Sequence, residues 1–286
     1  MSAFRMHGLT WSVLTLGFAF LYVPILILMV YSFNERKLAS VWSGFSFKWY
    51  GALLRDRDML NAAWLSLKLA FFSATGAVVL GTLASLVMTR MRYFRSRTLF
   101  GALITAPLVM PEVILGLSLL LLFVSMGNAL NGLGIGQFQP KGVITLWIAH
   151  VTFTLAFVTV VISSRMSELD KSLEEAAMDL GANRVKVFFQ ITLPIIAPAL
   201  VSGWLLAFTL SLDDVVISSF VSGPGSTTLP IKVFSSVRLG LNPKINALAT
   251  IMVSIVALFA VIGWWWMRRE ERRRQRDMQL ALQDNG

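Results

Sequence analysis

The sequence has no cysteine and only two histidines among its 286 residues. Disulfide frameworks, thiolate metal sites and a cysteine nucleophile are therefore excluded, and little imidazole is left for catalysis. Charge is scarce as well. Asp, Glu, Lys and Arg make up 14% of the chain, where a soluble domain carries about a quarter. Hydrophobic residues reach 56% and mean hydropathy is +0.71, so the polar residues cannot cover a soluble globule. No G-x-x-x-x-G-K-[ST] occurs, which removes any phosphate-binding loop of the chain's own. The nearest glycine cluster, Gly132, Gly134 and Gly136, lacks the lysine and hydroxyl and reads as a loop. Strand-like alternation is absent too, which argues against a barrel and for an all-α membrane protein.

What is present is a series of apolar runs of about 20 residues, the length that crosses a bilayer. Six are found, at 11–33, 62–88, 98–125, 142–164, 195–220 and 246–267. They predict one six-helix membrane domain over 11–267, with a short segment 1–10 before it and a basic tail 268–286 after it. The first run is longer than the apolar part of a secretion signal and ends on no convincing small-residue cleavage site, so a retained anchor is expected. The last run ends on Trp264, Trp265 and Trp266, an interfacial aromatic belt. The absence of cysteine and of an organelle address suggests a bacterial inner membrane.

The net charge of +10, with a pI near 10.4, would suggest nucleic acid in a soluble chain. Its distribution argues otherwise. With both termini cytoplasmic, fifteen Lys and Arg fall inside and nine outside, as the positive-inside rule requires. Five of the outer nine lie in 34–60, diluted over a long loop. Arg268, Arg269, Arg272, Arg273, Arg274 and Arg276 form a juxtamembrane run that anionic lipid attracts. The partner this implies is lipid, not nucleic acid, and no cofactor is expected.

Within the spans, Ser73, Ala77, Gly81 and Ser85 recur every four residues, a stripe suited either to a bundle contact or to a subunit interface. Pro24, Pro107 and Pro111 are expected to mark kinks. Three acids lie inside spans: Glu112, about 14 residues into the third and so near mid-membrane, and Asp213 with Asp214, about 19 residues into the fifth. Carboxylates in lipid are costly and are functional candidates by default. On a continuous helix Asp213 and Asp214 would point about 100° apart, so only one would face a central path. With the hydroxyls of Ser211 and Ser218 nearby, these acids suit an amine cargo. The alternatives are an ion pair with Lys68 or a hydrogen-bonded helix contact. As catalytic equipment, Glu112 with His150 is the only pairing worth naming.

The stretch 165–194 is far less apolar than its surroundings. Ser172 with Glu175 fits a capping box and Gly181 a C-terminal cap. Between them Leu173, Ala176, Ala177 and Leu180 form a narrow apolar face, and a second short helix is predicted from Asn183 with Val185, Phe188 and Phe189 turned inward. By periodicity alone this is an amphipathic connector on the membrane surface.

The residues add more. Glu175-Ala176-Ala177, three residues, Gly181, nine residues, Ile191, one residue, then Leu193-Pro194 resembles the EAA loop of ATP-binding-cassette importer permeases, over 20 residues and without departure. The segment from Ala106 to Glu112, Ser211-Leu212-Asp213-Asp214 with Ser222-Gly223-Pro224-Gly225 and Thr228-Leu229-Pro230, and Val237-Arg238-Leu239-Gly240 with Asn246-Ala247-Leu248-Ala249-Thr250 resemble its polyamine branch, which takes putrescine and spermidine. The resemblance implies a type I importer fold and a heterodimer with a second homologous permease. It also implies two ATPase subunits and a periplasmic polyamine-binding protein. Glu175, Ala176, Ala177 and Gly181 would then belong to the coupling helix that docks on the ATPase, and Glu112, Asp213, Asp214 and Ser211 to the substrate path. Trp42, Trp49, Tyr50 and the loop 223–240 would be candidates for the binding-protein contact. A gradient-driven carrier of amine cations would also explain the acids, though not the EAA loop.

Overall fold

A computed structural model describes residues 8–36, 41–91, 95–134, 138–238 and 243–258, with 261, 265, 268 and 269. Among these residues twelve helices follow in order: α1 (Gly8–Tyr31), α2 (Lys48–Leu54), α3 (Arg57–Arg90), α4 (Arg97–Val109), α5 (Glu112–Gly132), α6 (Val143–Glu168), α7 (Lys171–Asp179), α8 (Arg184–Val187), α9 (Leu193–Leu212), α10 (Val216–Val221), α11 (Leu229–Arg238) and α12 (Pro243–Leu258). A π-helical turn, Phe188–Thr192, joins α8 to α9. Among the described residues five helical stretches are long and apolar enough to cross a membrane: Thr10–Tyr31, Arg57–Arg90, Glu112–Gly132, Val143–Glu168 and Arg184–Leu212.

Two expected spans are interrupted in the structure, the third before α5 and the fifth after Leu212. The third is not one helix. It breaks at Met110 and Pro111, because proline carries no N–H for the carbonyl four residues back and pushes its predecessor out of the helical region; Met110 sits at φ −77°, ψ 134°. The sixth begins as α12, and its end, with Trp264 and Trp266, lies outside the described residues, as does most of the tail. Of the tail, Arg269 stacks its guanidinium 3.9 Å from the centre of the Trp265 ring.

The chain divides into two compact units. The first draws on Met1–Arg57 and Ser236–Gly286. Here α1 keeps its helix through Pro24 and buries none of its apolar stretch within the chain. Below it Asn34, fully buried, organises the following loop. Its side chain donates to the Val41 carbonyl (2.8 Å) and accepts from the Ser43 N–H (2.9 Å), and its own carbonyl accepts from Trp49 Nε1 (2.7 Å). Phe33, Phe45, Phe47 and Tyr50 stack into an aromatic cluster beside it. Trp49 is thus a buried strut of this loop, whereas Trp42 is exposed.

The second unit, Asp58–Ser235, is built around α6. Every member of the Ser73–Ala77–Gly81–Ser85 stripe is buried. Gly81 lies so close to α6 that a β-carbon there would stand 2.9 Å from Val158 Cγ1, and Ser85 Oγ donates to the Thr159 carbonyl (3.1 Å). The stripe is therefore an internal bundle contact, formed because small residues let backbones approach where no hydrophobic force separates lipid from protein. Gly81→Leu should cost about 1–3 kcal/mol through overpacking. The check is the thermal unfolding midpoint in detergent, with Gly17→Leu as control, since a β-carbon at Gly17 meets nothing within 4 Å. A similar close approach seats Gly116 of α5 on Ile217 and Phe220 of α10, while Gly203 of α9 faces Val158 at ordinary contact distance. At Gly223 a β-carbon would stand 2.8 Å from the Lys141 carbonyl oxygen, in a turn closed by Ser226.

Candidate translocation path and coupling loop

The loop between α6 and α9 folds as two short helices, with its caps redistributed. Asp170, not Ser172, is the N-cap of α7: its carboxylate accepts the Ser172 N–H at 3.0 Å. The expected capping box does not form, and Glu175 stays exposed. That N–H, followed by the Ser172 hydroxyl, holds the Asp170 carboxyl below its usual range. The cap therefore supports α7 above the ordinary aspartate pKa and is lost as pH falls through its own lower value. The C-terminus is as expected. Gly181 takes φ +88°, its N–H reaches the Met178 carbonyl (2.9 Å), and the Ala182 N–H reaches that of Ala177 (3.0 Å). These paired bonds are a Schellman closure, which needs the left-handed residue that glycine supplies. Asn183 then caps α8 by accepting the Lys186 N–H (2.8 Å).

Past this point the inward face is shifted. Val187 is the buried residue, Phe188 is half-buried, and Val185 and Phe189 are exposed rather than turned inward. The π turn at Phe188–Thr192 changes the angular register that an uninterrupted α-helix would keep. The face formed by Leu173, Ala176 and Leu180 is uncovered, Leu180 being 90% exposed. What fastens α7 to the bundle is Glu174, which the sequence reading passed over: Arg90 at the end of α3 pairs with it at 2.9 Å.

All three in-span acids lie at interruptions. Glu112 is not within a continuous helix but is the first residue of α5, exposed, where the helix dipole favours a negative charge. α9 ends at Leu212, so Asp213 and Asp214 are not neighbours on one helix either. Asp213 caps the C-terminus of α9, its N–H bonded to the Thr209 carbonyl (3.2 Å), and is exposed. Asp214 is buried and turns the other way. Its carboxylate accepts the N–H of Ile217 (3.1 Å) and of Ser218 (2.7 Å) at the first turn of α10, and His150 Nε2 lies 3.3 Å away.

His150, at 1% exposure, completes this network. Its Nδ1 lies 2.6 Å from Ser211 Oγ and its Nε2 3.0 Å from Ser218 Oγ. A carboxylate only accepts, so the tautomer that carries its proton on Nε2 presents it to Ser218 Oγ and Asp214. The Glu112–His150 pairing is thus replaced by Asp214–His150, and Lys68 pairs with neither acid but stands over the Trp64 ring at 5.1 Å. The serine, histidine and aspartate superficially resemble a hydrolase triad. The order is wrong for one, since the serine and the carboxylate contact the opposite ring nitrogens from those proton relay requires. Ser211 is also buried at 3% exposure. The network is a brace across the α9–α10 break, and buried polar groups must be satisfied in this way. Closer to the coupling loop, a groove of about 270 Å³ is lined by the hydroxyls of Thr105, Thr159, Ser163 and Ser167.

Residues 77–276 match the model of a family described as "binding-protein-dependent transport system inner membrane component". The chain belongs to this family of inner-membrane importer components. It is 59% identical to the putrescine transport system permease protein PotI of Escherichia coli K12, over 94% of each chain. It is 43% identical to the spermidine/putrescine transport system permease protein PotC of Haemophilus influenzae, over 82% of this chain and 87% of that one. Among solved structures, a chain of a bacterial alginate importer superposes with TM-score 0.64 at 16% identity, over 92% of this permease and 97% of that chain. A second structure, of a bacterial alginate ABC transporter in complex with its alginate pentasaccharide-bound periplasmic protein, gives TM-score 0.68 at 18% identity, over 89% and 90%. The fold is that of an ABC importer permease, and the chain is a transport component of the inner membrane, not an enzyme.

Proposed function

We propose that this permease carries putrescine, and spermidine as a related cargo, from periplasm to cytoplasm at the expense of ATP hydrolysed by a separate subunit. The observation that carries this reading is the 59% identity to a putrescine permease over 94% of both chains. In this reading the membrane domain runs over 11–267, with both termini cytoplasmic. The chain pairs with a second, homologous permease, two ATPase subunits sit beneath the dimer, and a periplasmic polyamine-binding protein delivers cargo. Glu175, Ala176 and Ala177 of α7, with Gly181 in the turn that closes it, form the surface that meets the ATPase. The uncovered Leu180 and Leu173 support this, because a free apolar face on a short helix calls for a partner.

The acids divide the work. Asp213 and Glu112 face the cargo. Asp214 and Ser211 act through His150 to hold the break that presents Asp213. Asp213 supports this because it sits at the negative end of α9, where a carboxylate is disfavoured unless a cation compensates it. Asp214, by contrast, is already compensated by two N–H groups and an imidazole.

Uptake of labelled putrescine and spermidine into vesicles tests the assignment. Transport is expected only when the second permease, the ATPase and the binding protein are all present. Uptake that persists without the ATPase, driven by an ion gradient, would restore the secondary-carrier reading.

A further inference from the structure

Glu174 is the only residue of α7 whose side chain is tied to the bundle among the described residues. It accepts from two sides at once. Arg90 Nη2 donates to Glu174 Oε1 at 3.0 Å, and Arg90 Nε lies 2.9 Å from Oε2. Thr192 Oγ1, buried at the end of the π turn, donates to Oε1 at 2.7 Å. Arg90 also reaches the carbonyl of Met166 in α6 at 3.4 Å. One carboxylate thus gathers the last residue of α3, the end of α6, the first turn of α7 and the foot of α9. Both charges are largely shielded, with side chains 19% and 14% exposed, and both lie at the helix ends their signs favour.

We infer that the Arg90–Glu174–Thr192 clasp is the joint through which movement of the coupling helix reaches α9 and the acid at its far end. The inference rests on the proposed docking of α7 against an ATPase. Among the described residues no other side-chain bond links α7 to the foot of α9, and what remains is the chain connection, a glycine turn followed by a four-residue helix and the π turn. With the clasp, displacement of α7 pulls Thr192, which immediately precedes Leu193, the first residue of α9. That helix is 20 residues long, so it spans about 30 Å and ends at Leu212, directly before Asp213. Bonds to a shared charged group give such a joint two discrete arrangements, clasped or open, which coupling between distant sites requires. Glu175, one residue on, remains free for the partner. Glu174 and Arg90 are positioning residues: they touch neither cargo nor ATP.

The test is the full transporter in proteoliposomes, with putrescine uptake and ATP hydrolysis measured in the same vesicles and the ATPase co-purified with the permease quantified. Glu174→Ala and Arg90→Ala should lower uptake about tenfold. ATPase recovery and basal hydrolysis should stay within about twofold, so that more ATP is consumed per molecule transported. The exchanged pair R90E/E174R rebuilds the ion pair with both charges at the helix ends their signs disfavour, and should restore part of the uptake, an outcome that a residue needed only for folding would not produce. Glu174→Gln keeps the Thr192 bond without the ion pair and should fall between. Unchanged uptake and unchanged ATP consumption per putrescine in Glu174→Ala would overturn the clasp. So would an equal loss of uptake and hydrolysis that the exchange does not rescue. If the wild-type chain does not co-purify with the ATPase, the underlying functional reading fails instead.

Discussion

Gly181→Val is expected to abolish putrescine uptake while the protein still inserts into the membrane. Gly181 holds φ +88°, a region in which a β-branched residue is strained by about 1–3 kcal/mol. A β-carbon there would meet nothing within 4 Å, so the fault would be conformational, with no clash to relieve by repacking. The chain would escape the strain by abandoning the Schellman closure, releasing the N–H groups of Gly181 and Ala182 from the carbonyls of Met178 and Ala177. The last turn of α7 would then unwind beneath Ala177 and Leu180, where the ATPase is proposed to seat. The bundle core around Val158 and Ile162 lies elsewhere and should survive. Two readings decide the matter. ATPase recovered with the permease should fall at least about tenfold, the equivalent of 1.4 kcal/mol, and the thermal midpoint of the isolated permease should hold. Gly181→Asn, which tolerates the left-handed region, should retain partial uptake. Full uptake by Gly181→Val would remove the docking role from this turn.

The two adjacent aspartates should fail in different ways. Asp213→Asn should leave the permease folded and raise the apparent KM for putrescine by roughly 10- to 100-fold, since a hydrogen bond to a charged partner contributes about 1.5–3 kcal/mol. Asp214→Ala should instead damage the protein. It strips a buried histidine and two backbone N–H groups of their acceptor, and breaking such a network costs about 3–5 kcal/mol. The expected signature is a lowered yield of folded permease and an earlier thermal transition, in binding-protein-dependent transport as in detergent. Equal KM effects from both substitutions, with stability intact, would mean that both acids face the cargo.

The contrast between these acids also shows where the sequence was readable. Gly181 and Asn183 announce themselves because caps are local: the glycine needs only its own φ, and the asparagine reaches a backbone N–H three residues on. The stripe from Ser73 to Ser85 is legible by spacing, although its choice between interface and bundle contact required knowing that Val158 stands opposite. The break at Asp213 carries neither proline nor glycine, and a hydropathy reading runs straight through it. The one available signal was an aspartate followed by the helix start at Val216, an N-terminal cap pattern in an apolar context. The partner of Asp214 was out of reach, because His150 lies on another helix and only the tertiary fold joins them. Glu174 was overlooked for the same reason. Beside a motif that begins at Glu175 it looks like an ordinary charged surface residue, and its value depends on Arg90 arriving from α3.

The π turn has a bearing on how such a chain can change over time. Phe188 to Thr192 leads directly into α9, so each residue added or removed there rotates everything above it by about 100° and shifts it by about 1.5 Å. A single deletion would carry Thr192 away from Glu174 and turn Ala207 and Gly203 out of their seats on the bundle. Substitutions at exposed positions such as Phe189 leave that geometry alone. This stretch is therefore constrained in length throughout, and in composition at Thr192, whereas the exposed Phe189 and Gln190 are free to vary.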